Sequence, residues 1–253
     1  MDGPLADAAR QWDDSAPWIV VAATFPGDAE DLLDALHAST IERRVRREAG
    51  SWPAPILAGE EPPRRRPESL TITSRSADPP KDVVVELRAG GSIVAAVQVG
   101  SERSRPADGA QVCAIGEGAV AWITAVLLRL TAACAQEVGM DTMTVRADIV
   151  DLRPVSADVP LELWSHSQGI LQPAGTWRGD DIGEVRLDVR TAECLTPELF
   201  LRARAILLGL LDRFGVKDSR HIDEHGVVRR NAFVGHADRI RTWLEALGAS
   251  SAP

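Results

Sequence analysis

With 253 residues and a net charge of −9, the chain is long enough to bury a full core as one large domain or two small ones, without a disulfide or metal staple. Its pI near 5.1 repels nucleic acid and anionic membrane except at a local basic patch, so neither is an expected partner. Cys113, Cys134 and Cys194 are odd in number, widely spaced and set among apolar neighbours, which argues against a disulfide framework or a C-x-x-C knuckle and for reduced core thiols in a cytoplasmic protein.

The amino terminus, MDGPLADAARQWDD, is acidic and lacks the basic region and apolar run of a secretory signal. WIVVAAT (18–24), bounded by Pro17 and by Pro26-Gly27, predicts a buried strand. Leu32, Leu33, Leu36, Ile41 and Val45 then form one stripe of an amphipathic helix with its N-cap at Asp28. That helix ends in ERRVRRE (42–48), the cationic end that the helix dipole favours. Residues 50–69 read as a proline-rich linker, and its PPRRRPE (62–68) is offset by Glu60, Glu61 and Glu68.

LTITS (70–74), DVVVELR (82–88) and SIVAAVQV (92–99) are strand-like, and Ala89-Gly90-Gly91 supplies a hairpin turn that favours antiparallel pairing. From Glu117 to Val138 the only charges are Glu117, Arg129 and Glu137. The longest uncharged stretch, Gly118 to Leu128, falls short of the roughly 20 residues of a bilayer crossing, so a helix packed on the sheet is expected, stopped at Gly139. MTVRADIVDL (143–152), PLELWSH and GEVRLDVR carry the period of a half-buried strand, with Val185, Leu187 and Val189 inward and Glu184, Arg186, Asp188 and Arg190 outward. Thr196-Pro197-Glu198 signals the start of a helix that runs to Phe214 and stops at Gly215. The order of strands, helix, strands, helix predicts an α+β fold, a largely antiparallel sheet with helices on one face, with a weak internal strand-strand-helix repeat in view. Residues 1–60 read as a strand-helix segment and linker packed on the main domain, 61–216 as the α+β core and 217–253 as a turn and helix.

HIDEH (221–225) fits the H-x-x-E-H pattern of a class of zinc hydrolases, in which both histidines share one helix face and the glutamate polarises bound water. Here Gly226-Val227-Val228 follows at once, so a solvent-facing turn is expected and His221, Glu224 and His225 are retained only as an outside metal set. The chain has no nucleophile elbow, Walker loop or dinucleotide fingerprint. Ile115-Gly116-Glu117-Gly118 opens the long helix, where Glu117 would oppose an anion. The least regular stretch, QGILQPAGTWRGDD, makes Trp164, His166, Trp177, Arg178, Asp180 and Asp181 the candidate rim of a ligand site.

GGSIVAAVQVG, EGAVAWITAVLLRLTAACAQEVGMDTMTVRADIVD and GEVRLDVRTAECLTPELFLRARAILLGLLDRFG together resemble the carboxyl-terminal region found in some actinobacterial proteins beside an AlbA-type, Schlafen-like DNA-binding domain. The similarity covers roughly residues 80–215, with the strand WIVVAAT as a candidate extension, and consists of strands, a glycine turn and a long apolar helix. It implies an accessory, ligand-sensing or interaction role in a bacterial regulatory or defence protein. The AlbA-like half has no counterpart in this sequence, so neither DNA binding nor a catalytic residue carries over. The expectation is a non-catalytic cytoplasmic interaction or regulatory module, without a cofactor, whose partner is another protein or itself as a homodimer. A small-molecule binder or enzyme built on the 164–181 loop is the alternative, and a zinc hydrolase using the 221–225 motif comes third.

Overall fold

The computed structural model describes residues 16–25, 38–53, 63–75, 82–151, 159–167, 170–177 and 184–253. The apolar run after Pro17 forms β1 (Pro17–Thr24), which is paired on both sides and buried on both faces. Its neighbours are β5 (Ser92–Gln98) and β8 (Thr142–Asp151). Outward from β5 lie β4 (Asp82–Arg88), β3 (Ser69–Arg75) and β2 (Arg64–Arg66), and outward from β8 lies β11 (Val185–Arg190). The order β11-β8-β1-β5-β4-β3-β2 makes a seven-stranded sheet, antiparallel throughout. Gly91, at φ 73°, closes the β4–β5 hairpin in the left-handed region that a glycine occupies without strain. A stretch read as linker from sequence therefore contributes an edge strand at 64–66.

A second sheet runs β10 (Ile170–Thr176), β9 (Leu161–Ser167), β7 (Gln111–Gly116) and β6 (Ser101–Ser104). Its central β7–β9 pair is parallel, and the other two pairs are antiparallel. β10 occupies part of the stretch that reads as irregular, because Pro173 and a register shift between Pro173 and Gly175 interrupt its alternation. β6 shows no apolar pattern in sequence, and the apolar run of β7, VCAI (112–115), is only four residues long and leads straight into the long helix.

The long apolar segment is α2 (Glu117–Glu137), in contact with β1 and β5 of the large sheet and with β7 and β9 of the small one. Its length and composition would suit a bilayer, yet 78% of its most apolar window is buried by protein. Leu127, Leu128 and Leu130 are fully buried, each contributing about 1.5–3 kcal/mol on leaving water. The mid-helix charge is satisfied: Arg129 pairs with Glu48 at 3.1 Å and donates to the Leu195 carbonyl at 3.0 Å. Gly139 ends the helix at φ 74°, with Gly139 and Met140 N–H groups bonded to the Gln136 and Ala135 carbonyls.

α1 (Ala38–Gly50) packs on α2 through Ile41 and Val45; the start expected at Asp28 lies outside the described residues. A 3-10 turn at Thr191–Leu195 leads into α3 (Leu199–Asp212), which packs on α2, β8 and β11. Thr196 does not cap α3 with its side chain; the hydroxyl turns back to the Glu193 carbonyl at 3.1 Å and closes the preceding turn. Beyond it, α4 (Ala237–Ala246) sets Trp243 edge-on against Phe200 of α3, centroids 5.4 Å apart. β12 (Val228–Arg229) and β13 (Ser251–Ala252) pair in parallel and tie down the last residues. The fold is α+β, with α1 to α3 grouped on the large-sheet face that carries Ile19, Val21 and Ala23. The alternate residues Trp18, Val20, Ala22, Val94 and Ala96 form a separate buried cluster on the other face.

Candidate functional sites: a sealed histidine junction and an open arginine cleft

HIDEH is a turn. Asp223 Oδ1 accepts the N–H groups of His225 and Val227 at 3.0 and 2.9 Å, Gly226 takes φ 76°, and Ile222 bridges back to Val228. Those backbone donors, that of Val227 foremost, hold the Asp223 carboxyl below its ordinary range. The turn splits the motif. Glu224 and His225 project into solvent, at 78% and 79% exposure, whereas the His221 side chain is 5% exposed and points inward. A solvent-facing turn thus describes 223–226 but not His221. Among the described residues no group of three or more His, Cys, Asp or Glu converges to hold a metal.

His221 Nδ1 lies 3.2 Å from Oε1 of Glu117, the first residue of α2. The same oxygen accepts the Arg220 N–H at 3.1 Å, and Ser219 Oγ accepts the His221 N–H. Phe233 lies edge-on to the imidazole at 4.6 Å between centroids. Gly118 closes the remaining side tightly, since a Cβ there would stand 3.0 Å from His221 Nε2. Burial alone pushes the Glu117 carboxyl up, but the hydrogen bond and charge of His221, with the Arg220 N–H and the Ser165 hydroxyl, hold it below the ordinary range. A carboxylate orienting an imidazole is two-thirds of a hydrolytic relay. Here the nearby Ser165 hydroxyl faces the carboxylate, closes no full hydrogen bond, and does not lie at Nε2. All three groups are buried, so the junction joins the 217–230 segment to α2 and offers no route to substrate.

Of the loop residues read as a rim, the three described ones, Trp164, His166 and Trp177, lie in separate surroundings along the β9–β10 hairpin. Trp164 is buried and donates through Nε1 to Glu162 at 3.0 Å, and Glu162 in turn holds Arg105 at 2.6 Å. His166 sits half-buried near the other end of the strand, its carbonyl accepting from Arg220 at 3.2 Å. Trp177 lies against Phe214, centroids 5.3 Å apart, with the Arg213 guanidinium 5.2 Å above its ring. Arg178, Asp180 and Asp181 fall outside the described residues. The two regions singled out from sequence do meet, at His166, Arg220 and Glu117, but as packing.

Among the described residues an open cleft of about 690 Å³ lies elsewhere, where β1, β8 and β11 end together. Its floor is apolar, from Phe25, Met143 and Val189, and its rim carries Arg186, Arg190 and Arg202. Two carboxylates share the cleft with these three cations. Asp188 accepts the Thr144 hydroxyl at 2.6 Å, and Glu193 pairs with Arg202 at 3.1 Å and with Arg190 at 3.9 Å. Arg186 is exposed and stands directly across the ladder from Arg146, which is held by Glu184 at 3.0 Å. Like charges placed opposite one another are unfavourable unless something negative joins them. The only sequence signal for this region is the alternating charge of GEVRLDVR, which marks a solvent face and not a cleft.

No protein-family model, curated protein or solved structure matches the chain.

Proposed function

We propose that the protein is a non-catalytic, cytoplasmic interaction or regulatory module of a bacterial regulatory or defence system, and that it meets its partner at the β11 end of the large sheet. One contrast supports this reading. The acid-base pair with the makings of chemistry, Glu117 and His221, is sealed, while β11 is a sheet edge lined by an open cleft of mixed charge. Edge strands and rigidly framed charged clefts are the surfaces through which such modules bind. Native purification of untagged protein tests it: a defined complex with itself or with a second protein is expected, and a bare monomer at every concentration contradicts it.

A second reading keeps the module but fills the cleft with a small anion, favoured by the third guanidinium on its rim. Titration with inorganic phosphate and with citrate, followed by the melting temperature, separates the two. A saturable rise that Arg186→Ala abolishes supports the anion reading; no shift leaves the cleft to a protein partner.

A further inference from the structure

We infer that β11 pairs with β11 of a second copy of the chain, antiparallel about a two-fold axis through Leu187, joining the two large sheets into one. This deepens the interaction-module reading and rests on it.

Among the described residues the other sheet edges carry devices that discourage pairing. β2 is three residues long, and all three are exposed arginines. β6 is four residues long and exposed throughout. β10 contains Pro173 and a register shift. β11 has none of these: six residues pair with β8 without a bulge or proline.

Its backbone is also turned to receive a strand. The Thr191 N–H donates to the Asp141 carbonyl, across the β8 side. The Arg190 N–H turns the other way, to Glu193 Oε2 at 3.4 Å. Peptide groups alternate sides along a strand, so those of Asp188 and Arg186 point away from β8, to the edge that no strand among the described residues covers. A two-fold centred on Leu187 places Arg186 opposite Asp188 of the second copy as a hydrogen-bonded pair. The reciprocal pair follows by symmetry.

The side chains agree with that register and with few others. On the polar face Arg186 meets Asp188, and Glu184 meets Arg190, so every cross-strand neighbour has the opposite charge. On the helix face Val185 meets Val189 and Leu187 meets itself. Val185 and Leu187 are only half-buried in the single chain, so pairing removes further apolar surface from water. Sliding the second strand by two residues sets Arg186 against Arg186 or Asp188 against Asp188. The alternating charge that reads as a solvated face is thus a code complementary to itself.

The test is sedimentation velocity on wild type, Arg186→Asp and Asp188→Arg, each alone and in the mixture of the two variants, with circular dichroism to confirm folding. Wild type is expected to dimerise, and each variant to weaken the dimer about tenfold or more, since two symmetry-related pairs turn repulsive. The mixture is expected to recover a heterodimer, because the carboxylate introduced at position 186 of one variant then faces the guanidinium introduced at position 188 of the other. If Asp188→Arg fails to fold, cysteines decide the matter. Leu187→Cys is expected to oxidise to a disulfide dimer; Val185→Cys is expected to do so only when mixed with Val189→Cys, and the native cysteines are buried. A wild-type monomer overturns the inference, and the module reading then stands or falls on a co-purifying second protein. A wild-type dimer indifferent to Arg186→Asp, with no selective cross-link, also overturns it and leaves the module reading intact.

Discussion

Glu117 and His221 are 104 residues apart in the chain, yet their side chains meet at 3.2 Å in a site that admits almost no solvent. The contact pins the segment after α3 to the first turn of α2. Replacing His221 with alanine leaves a buried carboxylate without its principal hydrogen-bond partner, a loss of about 1–3 kcal/mol. The midpoint of urea unfolding at neutral pH measures it, and an unchanged midpoint would sink the assignment.

The same pair shapes the acid response. Glu117 is held below its ordinary value of 4.5 in the folded chain, so the folded state binds fewer protons than the unfolded state in that range. Its contribution to stability is therefore complete above about pH 4.5 and is lost as pH falls through the lowered value. Glu117→Gln is expected to lower stability at neutral pH and to flatten the acid limb. Urea midpoints collected across the acid range show whether the slope changes.

Asp148 and Arg213 form a sealed ion pair, at 2.6 Å, between β8 and the end of α3. Asp148→Asn strands a guanidinium that is 3% exposed, with an expected cost of about 3–5 kcal/mol. Adding Arg213→Met to that variant removes the stranded charge and is expected to restore part of the loss, because Trp177 and Phe214 already make an apolar seat. A double-mutant cycle measures the coupling, and simple additivity contradicts it.

Gly175 allows β10 to pass the end of α3. A Cβ there would stand 2.2 Å from the Phe214 carbonyl oxygen, a backbone atom that cannot rotate aside. Gly175→Ala is expected to destabilise the protein by several times the ~1 kcal/mol of a typical substitution. It also separates the Trp177–Phe214 contact, which tryptophan fluorescence reports. A variant with wild-type melting and emission would refute that approach.

Burial pushes the thiols of Cys134 and Cys194 up to about 12, and Cys113 is buried as well. The expected result with a thiol reagent at mildly alkaline pH is no labelling of the native protein and labelling of all three after unfolding. Rapid native labelling of any one would contradict this packing.

How much of this was legible in sequence depended on whether the signal was local. The run at 18–24, the Ala89-Gly90-Gly91 turn, Gly139 and the alternation of 185–190 each fix geometry within a few residues, and each appears where the pattern placed it. β6, β7 and β10 were hidden because short strands stabilised by their neighbours need no strong period of their own. That HIDEH forms a turn was readable from Gly226. That His221 turns inward was not, because Glu117 is distant in the chain and only tertiary packing brings it near. The cleft was invisible for the same reason: its walls come from β1, β8, β11 and α3, and no single segment carries its charge balance.

The proposal that this chain acts by binding, with β11 as the surface it uses, meets its hardest test in native mass spectrometry of untagged wild type taken straight from lysate. A species at twice 27.2 kDa is expected, alone or with a further protein, and Arg186→Asp is expected to dissociate it. A monomer carrying neither partner nor ligand, unchanged by that substitution, would contradict it.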